Sequence, residues 1–325
     1  MVLPPEHRYD HIVPHLQTQV DSCDLSSIFD DLLRQFGGPV IAKGLGFVAR
    51  IALRRVYRSE ETAELAGISR AFGIPIHLLV AFNVLLDLLL GCTSGGVRAV
   101  DSEQQPASSR TPRMLHFRTL DWGMDTLRKL TVQLDFVHFA GGPVVATSVT
   151  YLGYVGVLTG VRNGLSMSLN FRPHHSRNSL RERLAFRCHQ ALVVLGFRQS
   201  ISSVLRGFLL DTRAKNGKAA TNIEMHTILS TLSSSPSTAA YLIFCTPERA
   251  YVVEKDHRKA LIRDSDTYLT SYNHDVADEE DPAELESAVQ ELASTGNTTG
   301  MADVTIFGRS ESAVVAGITA NMGRW

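Results

Sequence analysis

The periodicity of apolar residues changes at Gly91, and this change constrains the fold more than any other feature of the sequence. Residues 1–91 carry apolar side chains mainly at helical spacing, whereas strand-like runs and glycine turns dominate after Cys92. A helical front segment followed by strands, helices and more strands predicts an α+β fold with a stacked sheet core. We therefore divide the chain into a helical N-terminal segment, 1–91, and a larger domain, 92–325.

Four helices are expected in the N-terminal segment. Gly37-Gly38-Pro39 is a strong stop signal, so the first helix is predicted to end at Phe36. Ser59 is a candidate N-cap, because acidic residues occupy the turn that follows it. The predicted helices cover 11–36, 42–57, 59–72 and 76–90.

The domain after Cys92 is predicted to combine strands with two helical regions. Asn163-Gly164 is a good hairpin signal, and Gly153 marks another turn. Strands are expected over 114–119, 131–139, 143–150, 154–159, 165–170, 239–245, 249–254 and 267–271. Helical spacing covers 178–211 and 222–233, a polar surface loop is expected over 97–113, and an acidic helix with loops over 276–300.

Composition and residue spacing argue against several function classes. The formal net charge is -1, which offers no broad basic surface for nucleic acid. The longest apolar run, 78–90, is shorter than the roughly 20 residues that a membrane span needs. The four cysteines are far apart, and neither His174-His175 nor Cys188-His189 has a third ligand at usable spacing, so we expect no metal and no cofactor.

Cys92 lies at the boundary itself. A cysteine nucleophile reacts as a thiolate and needs a base within hydrogen-bond reach, and no papain-type histidine motif surrounds Cys92. If the peptide bond before Cys92 were cut, its own α-amine, with a pKa of about 8 in water, could be that base. The residue by itself leaves a second interpretation open, a buried structural thiol.

Two further segments carry candidate functional residues. Arg118 and Asp121 lie three positions apart at the end of a predicted strand, where they form either a surface ion pair or part of a site. Asn273 follows another predicted strand. Its side-chain amide either stabilises a turn or donates to an oxyanion.

Together these segments resemble the acid ceramidase and N-acylethanolamine-hydrolysing acid amidase family of N-terminal-nucleophile hydrolases, which is related to the choloylglycine hydrolases. The resemblance extends over most of residues 60–275, and the R-x-L-D-W-G and G-Y-V-G-x-x-T-G motifs make the combination specific. The matching segments are EETAELAGI (60–68), GIP (73–75), AFN (81–83), CTS (92–94), RTLDWG (118–123), YLGYVGVLTG (151–160) and NHD (273–275).

This resemblance implies an αββα sandwich, in which two stacked antiparallel sheets lie between helical layers, and a zymogen that cleaves itself before Cys92. The helical fragment, 1–91, would stay associated with the catalytic αββα fragment, 92–325. By carry-over, Cys92 attacks an amide carbonyl and Asp121 holds the new α-amine. Arg118 orients the cysteine and the substrate, and Asn273 donates to the tetrahedral oxyanion.

The reaction that the family implies is hydrolysis of a fatty N-acyl amide, with ceramide as the first expectation. N-acylethanolamines and other N-acyl amides are alternatives on the same fold, and an uncleaved lipid-binding relative without turnover is a third. The first fifteen residues contain no apolar signal core, which predicts an intracellular chain, whereas the family implies a lysosomal or secreted one.

The sequence departs from the family pattern in the longer loop over 97–113, in the region after Met301 and at two positions near the candidate site residues. Family members usually have an acidic residue where this chain has Phe171, within Asn170-Phe171-Arg172. They also tend to carry an arginine about a dozen residues after the oxyanion asparagine, where this chain is acidic over 278–286 and Arg309 is a weak substitute.

The basic amphipathic helix predicted over Lys43–Arg58 has two interpretations. It packs its apolar face on the domain and leaves its arginines in solvent, or it docks transiently on an anionic lipid surface.

Overall fold

The computed structural model describes residues 3–85, 91–99, 113–121, 125–172, 179–210, 212–213, 221–222, 224–273 and 275. The predicted acidic helix over 276–300, the apolar C-terminal region and Arg309 therefore lie outside the described residues. His174-His175 lies outside them as well. The described residues all belong to one compact unit, 1–279.

The N-terminal segment is helical, with four α-helices after two short 3-10 turns. These are α1 (Val13–Asp21), α2 (Leu25–Ala52), α3 (Ser59–Phe72) and α4 (Ile76–Leu85). Helix α3 ends where the sequence predicts, because Gly73 adopts a left-handed conformation with φ 70°. Ser59 is the first helical residue rather than the N-cap, a position that Arg58 occupies.

The predicted break at Gly37-Gly38-Pro39 is wrong, since α2 runs through it as a single helix of 28 residues. This helix ends at Ala52, so residues 53–58 of the predicted Lys43–Arg58 helix are not helical. The helix begins later than predicted, at an N-cap where the Asp24 carboxylate accepts from the Ser27 N–H. Buried residues on both sides of the break, Phe29, Leu33, Ala42 and Ala49, belong to one hydrophobic core. Tertiary burial of this long apolar face outweighs the local cost of glycine and proline inside a helix.

The remaining elements comprise two principal antiparallel sheets, a two-stranded ribbon and four more helices. In chain order they are β1 (Gly91–Ala99), β2 (Arg113–Asp121), α5 (Asp125–Arg128), β3 (Thr131–Val137), β4 (Val144–Tyr151), β5 (Thr159–Arg162), β6 (Leu165–Phe171), α6 (Leu180–Val194), α7 (Ile201–Leu210), β7 (Thr212–Arg213), β8 (Thr221–Asn222), α8 (Met225–Ser234), β9 (Ala240–Cys245), β10 (Ala250–Lys255), β11 (Ala260–Ser265) and β12 (Tyr268–Ser271).

One sheet has seven strands in the order β11-β10-β9-β6-β5-β4-β3, and the other has three in the order β12-β1-β2. They approach so closely at Gly96 of β1 that an added Cβ would lie 2.5 Å from the Cβ of Ala250 and 2.9 Å from the sulfur of Cys245. Helices α4 and α7 contribute to the core on the other face of the larger sheet. The α+β prediction with stacked sheets is confirmed, and the described residues supply a helical layer and both sheets.

Three strand predictions need correction. Strand β1 was not predicted, and its last residues, 97–99, fall in the expected surface loop over 97–113. The predicted strand over 154–159 is irregular up to Leu158, because its backbone bonds to two helices: the Val155 N–H donates to the Asn83 side chain of α4, and the Val157 N–H donates to the Ser202 carbonyl of α7. Strand β11 was not predicted, and its half-exposed edge position explains its weak apolar pattern. The helical region 178–211 is interrupted between α6 and α7 at Gly196, which has φ 72°.

Within the described ranges, no helix is both long enough and apolar enough to cross a bilayer. The same residues include no group of three or more His, Cys, Asp or Glu side chains that could hold a metal ion.

Candidate active site

Cys92 is the second residue of β1, the central strand of the three-stranded sheet. Its side chain is only 2% exposed. Side chains two residues apart share one face of a strand, so Cys92 lies on the same face as Ser94, whose hydroxyl donates across to Asn170 of the larger sheet at 2.8 Å. The thiol is therefore buried between the two sheets.

Arg118 brings a positive charge to this thiol. It pairs with Ser94 in the β1–β2 register, and its Nη2 lies 3.5 Å from the Cys92 sulfur. The guanidinium also donates to the Thr159 hydroxyl at 2.6 Å and to the Leu169 carbonyl at 2.8 Å. No carboxylate of the described residues lies within ion-pair distance of it, so its charge is available to stabilise a thiolate.

Asn273 reaches the backbone of Cys92 from the residues after β12. Its Oδ1 accepts the Cys92 N–H at 2.6 Å, and its Nδ2 donates to the Phe171 carbonyl at 2.6 Å. Asn273 is thus brought to Cys92, but its oxygen faces the nitrogen that cleavage would turn into an amine.

Asp121 is placed by its backbone alone. It is the last residue of β2 and pairs directly with Gly91, the residue before Cys92. Its side chain lies outside what the structure describes, so its predicted contact with the α-amine stays a prediction.

Two residues at the site were not among the predicted catalytic residues. Asn170 donates from Nδ2 to the carbonyls of Cys92 and Ser271, both at 3.4 Å, and so links β6 to the nucleophile strand. Thr159 begins β5 and holds Arg118. Thr159 lies in the G-Y-V-G-x-x-T-G motif, which is the sequence signal for it, whereas Asn170 belongs to a segment that departs from the family pattern.

The departure at 170–172 has a structural counterpart close to Asn273. Arg172 forms a bidentate pair with Asp275, with distances of 2.7 and 2.5 Å, and the Tyr241 hydroxyl donates to the same carboxylate at 2.7 Å. Burial acts to lower the pKa of Arg172, but its bonds to Asp275 raise it overall, so the pair stays ionised. The pair ties the chain after Asn273 to the end of β6.

A cavity of about 610 Å³ opens beside Arg118. Its walls are mainly apolar and include Phe117, Val149 and Leu158. His116 contacts two serines of β6 through its two ring nitrogens, at 2.9 Å each, and burial, with a smaller effect from Arg118, lowers its pKa to about 4. The cavity is therefore an apolar chamber with a neutral imidazole, and the Arg118 guanidinium connects it to the thiol.

The helical segment supports this site through Asn83 of α4. Its Nδ2 donates to the carbonyls of Leu79 and Gly153, at 2.8 and 2.6 Å, and its Oδ1 accepts from Val155 at 2.8 Å. Residues 151–158 lead directly into Thr159, so the family-like A-F-N motif positions the residue that holds Arg118.

A buried ionic cluster makes a second connection. Arg206 of α7 forms a bidentate pair with Glu64 of α3, at 2.5 and 2.7 Å, and donates to the Val155 carbonyl at 2.7 Å. Arg8 contacts the same carboxylate at 2.5 Å, and Ser203 donates to Glu61. Both acidic residues come from the E-E-T-A-E part of the family-like motif.

Chemically, the arrangement places a thiol beside an unneutralised guanidinium, with the cysteine nitrogen fixed by a carboxamide oxygen and an apolar chamber nearby. These features suit acyl transfer to sulfur from a substrate with an apolar acyl group.

No family model matches the sequence. The chain is similar to the N-acylethanolamine-hydrolyzing acid amidase of Caenorhabditis elegans, with 30% identity over 181 residues, 52% of this chain and 45% of that protein. It is 32% identical to acid ceramidase of Mus musculus over 124 residues, 34% of this chain and 28% of that one. These matches span less than half the length of the curated relatives. A solved structure of a Caenorhabditis elegans N-acylethanolamine-hydrolyzing acid amidase ortholog aligns with 20% identity and a TM-score of 0.43, covering 67% of this chain and 88% of that one.

Proposed function

We propose that this chain, a member of the acid ceramidase and N-acylethanolamine-hydrolysing acid amidase family, hydrolyses fatty N-acyl amides with Cys92 as its nucleophile. The observation that carries the proposal is the pairing of the buried Cys92 thiol with Arg118 at 3.5 Å, at the N-terminal end of a strand. The names of the two similar curated proteins describe enzymes of such amides, which supports the same substrate class here.

In the proposed maturation, the chain cuts itself between Gly91 and Cys92. The Cys92 sulfur attacks the Gly91 carbonyl carbon, the Gly91–Cys92 C–N bond breaks, and the Gly91 acyl group passes to sulfur, while the thiol proton passes to the departing nitrogen, which becomes the α-amine. Water then hydrolyses this thioester, which releases the Gly91 carboxylate and frees the Cys92 thiol. The cut would divide the chain into the helical fragment, 1–91, and the catalytic fragment, 92–325, and each would remain the other's partner.

In the proposed turnover, the α-amine takes the thiol proton and the sulfur attacks the substrate amide carbonyl. Asn273 donates to the tetrahedral oxyanion, for which its amide must share or exchange the present bond to the Phe171 carbonyl. The α-ammonium then protonates the leaving amine, and water releases the fatty acid from the thioester. Arg118 stabilises the thiolate, and Asp121 holds the amine.

Ceramide is the first substrate we propose, with N-acylethanolamines and other N-acyl amides as alternatives. The apolar walls of the cavity beside Arg118 suit an acyl chain. The amine half of the substrate decides among these amides, so a panel with one acyl chain and different amines separates them.

We further propose that the C-terminal part of α2 docks on an anionic lipid surface. Phe47, Val48 and Ile51 are 66%, 56% and 59% exposed, next to the exposed Arg50 and Arg54. This part of α2 packs Ala42 and Ala49 into the core, yet it leaves a second apolar face exposed beside the arginines, as an interfacial helix does. Replacement of Phe47 and Ile51 by serine should reduce co-sedimentation with anionic vesicles, while hydrolysis of a soluble short-chain amide is kept.

The test of the main proposal compares three purified proteins: wild type, Cys92→Ala and Cys188→Ala. Cys188 is an exposed cysteine of α6 and serves as the matched control. Intact mass and a denaturing gel, before and after acid incubation, should show two fragments with Cys92 as a new N-terminus in wild type and control only. Wild type and Cys188→Ala should also hydrolyse amides of the panel, and Cys92→Ala should not. Equal turnover by Cys92→Ala would overturn the mechanism, and a single uncleaved band without turnover at any pH would favour the lipid-binding alternative.

A further inference from the structure

A second cavity, of about 730 Å³, lies among the helices. It opens where α7, the end of α8 and the turn between β10 and β11 come together, and Ile201 and Phe208 form part of its apolar wall. Its lining shares no residue with the lining of the cavity beside Arg118. The proposed hydrolase mechanism makes no use of it.

The polar part of this cavity is strongly basic. Arg58, Arg198 and Arg258 line it and are exposed at its rim. Glu61 lies 4.0 Å from Arg58, and within the described part of the chain Arg258 has no ion pair. Several guanidiniums around one concave surface with low-dielectric walls concentrate a positive potential.

Lys255 adds a buried positive charge behind this rim. It is 0% exposed, and its ammonium donates to backbone carbonyls, the nearest being that of Asp256 at 2.8 Å. Burial lowers its pKa to about 8, so the ammonium form still predominates at neutral pH. Among the described carboxylates none lies within ion-pair distance of Lys255.

His189 provides the observation that points to a ligand. Arg198 contacts its Nδ1 at 2.7 Å, and because a guanidinium can only donate, Nδ1 must accept and the ring proton lies on Nε2. His189 is 3% exposed, its ring is inclined at 65° to the His257 ring with centroids 4.8 Å apart, and its Nε2 has no hydrogen-bond partner among the described residues. Burial, His257, Arg198 and Lys255 together lower its pKa to about 4, so this N–H belongs to a neutral ring. A buried donor without an acceptor is costly, which favours a bound acceptor in the cavity.

We propose that this basic cavity binds the phosphate group of a ligand, with the His189 Nε2–H and the guanidiniums of Arg58, Arg198 and Arg258 as donors. Phosphate fits better than a carboxylate, because its two charges and additional oxygens match several arginine forks at once. The apolar wall would contact the rest of the ligand.

The experiment measures binding to the full chain without amide substrate, so its outcome is independent of catalysis. Inorganic phosphate and acetate are titrated at matched ionic strength by calorimetry into wild type, Arg258→Gln and Arg183→Gln. Arg183 is an exposed arginine of α6 outside the cavity, so the control loses the same charge. Phosphate should bind more tightly than acetate, and Arg258→Gln should weaken phosphate binding about tenfold while the control does not.

A second arm identifies the source of the phosphate. Phosphatidylcholine vesicles with and without phosphatidic acid are added to the same three proteins. Capture that needs phosphatidic acid and Arg258 assigns a lipid phosphate, whereas binding of inorganic phosphate alone assigns a soluble one. A shift of the His189 ring ¹⁵N signals by phosphate is expected in either case. The proposal is overturned if neither probe depends on Arg258, or if the His189 signals do not respond to a bound probe.

Discussion

Arg206 and Arg118 both hold a guanidinium inside the protein, but they have different partners. Arg206 meets Glu64 in two hydrogen bonds and a carbonyl in a third, so its charge is neutralised where it lies. Arg118 meets a hydroxyl, a carbonyl and a thiol, and no described carboxylate is close enough to pair with it. A neutralised cation fixes one element to another, whereas an unneutralised one retains a field that acts on a reacting group.

The largest effect is expected from Arg206→Met, which leaves Glu64 buried with Arg8 as its remaining charged partner. We expect a loss of about 3–5 kcal/mol in the free energy of unfolding, measured by urea denaturation. Arg34→Gln, which removes an exposed pair with Asp31, is the control and should cost less than about 1 kcal/mol. If the two substitutions cost the same free energy, the buried pair of Arg206 with Glu64 does not stabilise the fold more than an exposed pair does.

The next effect is on activity. Arg118→Gln should lower amide turnover by about 10²–10³-fold, since it removes the only described cation beside the thiol, and it should cost less stability than Arg206→Met. Arg98→Gln removes an exposed arginine from the Cys92 strand and serves as the control. A turnover close to wild type in Arg118→Gln would show that the charge of Arg118 does not assist the reaction of the Cys92 thiol.

His116, beside Arg118, and Glu61, near Arg206, should change the free energy of unfolding with pH in opposite directions. The His116 pKa is lowered to about 4, so the folded state binds fewer protons than the unfolded state, and stability is lost as pH falls below the unfolded value of about 6.5. Burial raises the Glu61 pKa near Arg206, so the contribution of Glu61 is present at low pH and is lost as pH rises through the folded value.

Urea denaturation at different pH values tests this. Between about pH 7 and pH 5, His116 should account for a loss of about 2 kcal/mol, which His116→Gln should abolish. Wild type should lose stability as the pH rises from the unfolded Glu61 pKa through the folded one, and Glu61→Gln should reduce that loss. An unchanged acid response in His116→Gln would show that the ring is charged in the folded protein.

The smallest effect should come from Thr159→Val, which removes one acceptor from Arg118 while keeping the side-chain shape. Turnover should fall about tenfold or less, with little change in thermal stability. Thr147→Val is the matched control, because Thr147 lines the same cavity but donates to Asp135. A loss as large as that of Arg118→Gln would mean that Thr159 takes part in the chemistry itself.

Much of the site was predictable because its residues lie at ends of elements that the sequence marks clearly. The predicted strands over 114–119 and 267–271 correspond to β2 and β12, which bring Arg118 and Asn273 to Cys92. The partners of Arg118 were harder to predict, because Thr159 and Leu169 belong to the opposite sheet. The local sequence does not indicate which strands of the two sheets face each other. Thr159 had only its motif as a signal.

The errors in the fold have the same origin. Gly37-Gly38-Pro39 is a helix break by local rules, and only the burial of residues on both sides of it explains why α2 continues. Residues 154–158 have strand-like composition, but their backbone N–H groups donate to Asn83 and Ser202 instead of to a neighbouring strand. Local preference was overruled in both places by contacts with distant parts of the chain.

The bonds of Asn83 and Glu64 have a consequence for the thermodynamics of a matured protein. Both residues precede residue 91, and both bond to the backbone or side chains of the later part of the chain. A cut before Cys92 would make these bonds intermolecular, so folding would become an association of two chains. Unfolding would then follow mass action, with a melting temperature that rises with protein concentration after cleavage and does not before it.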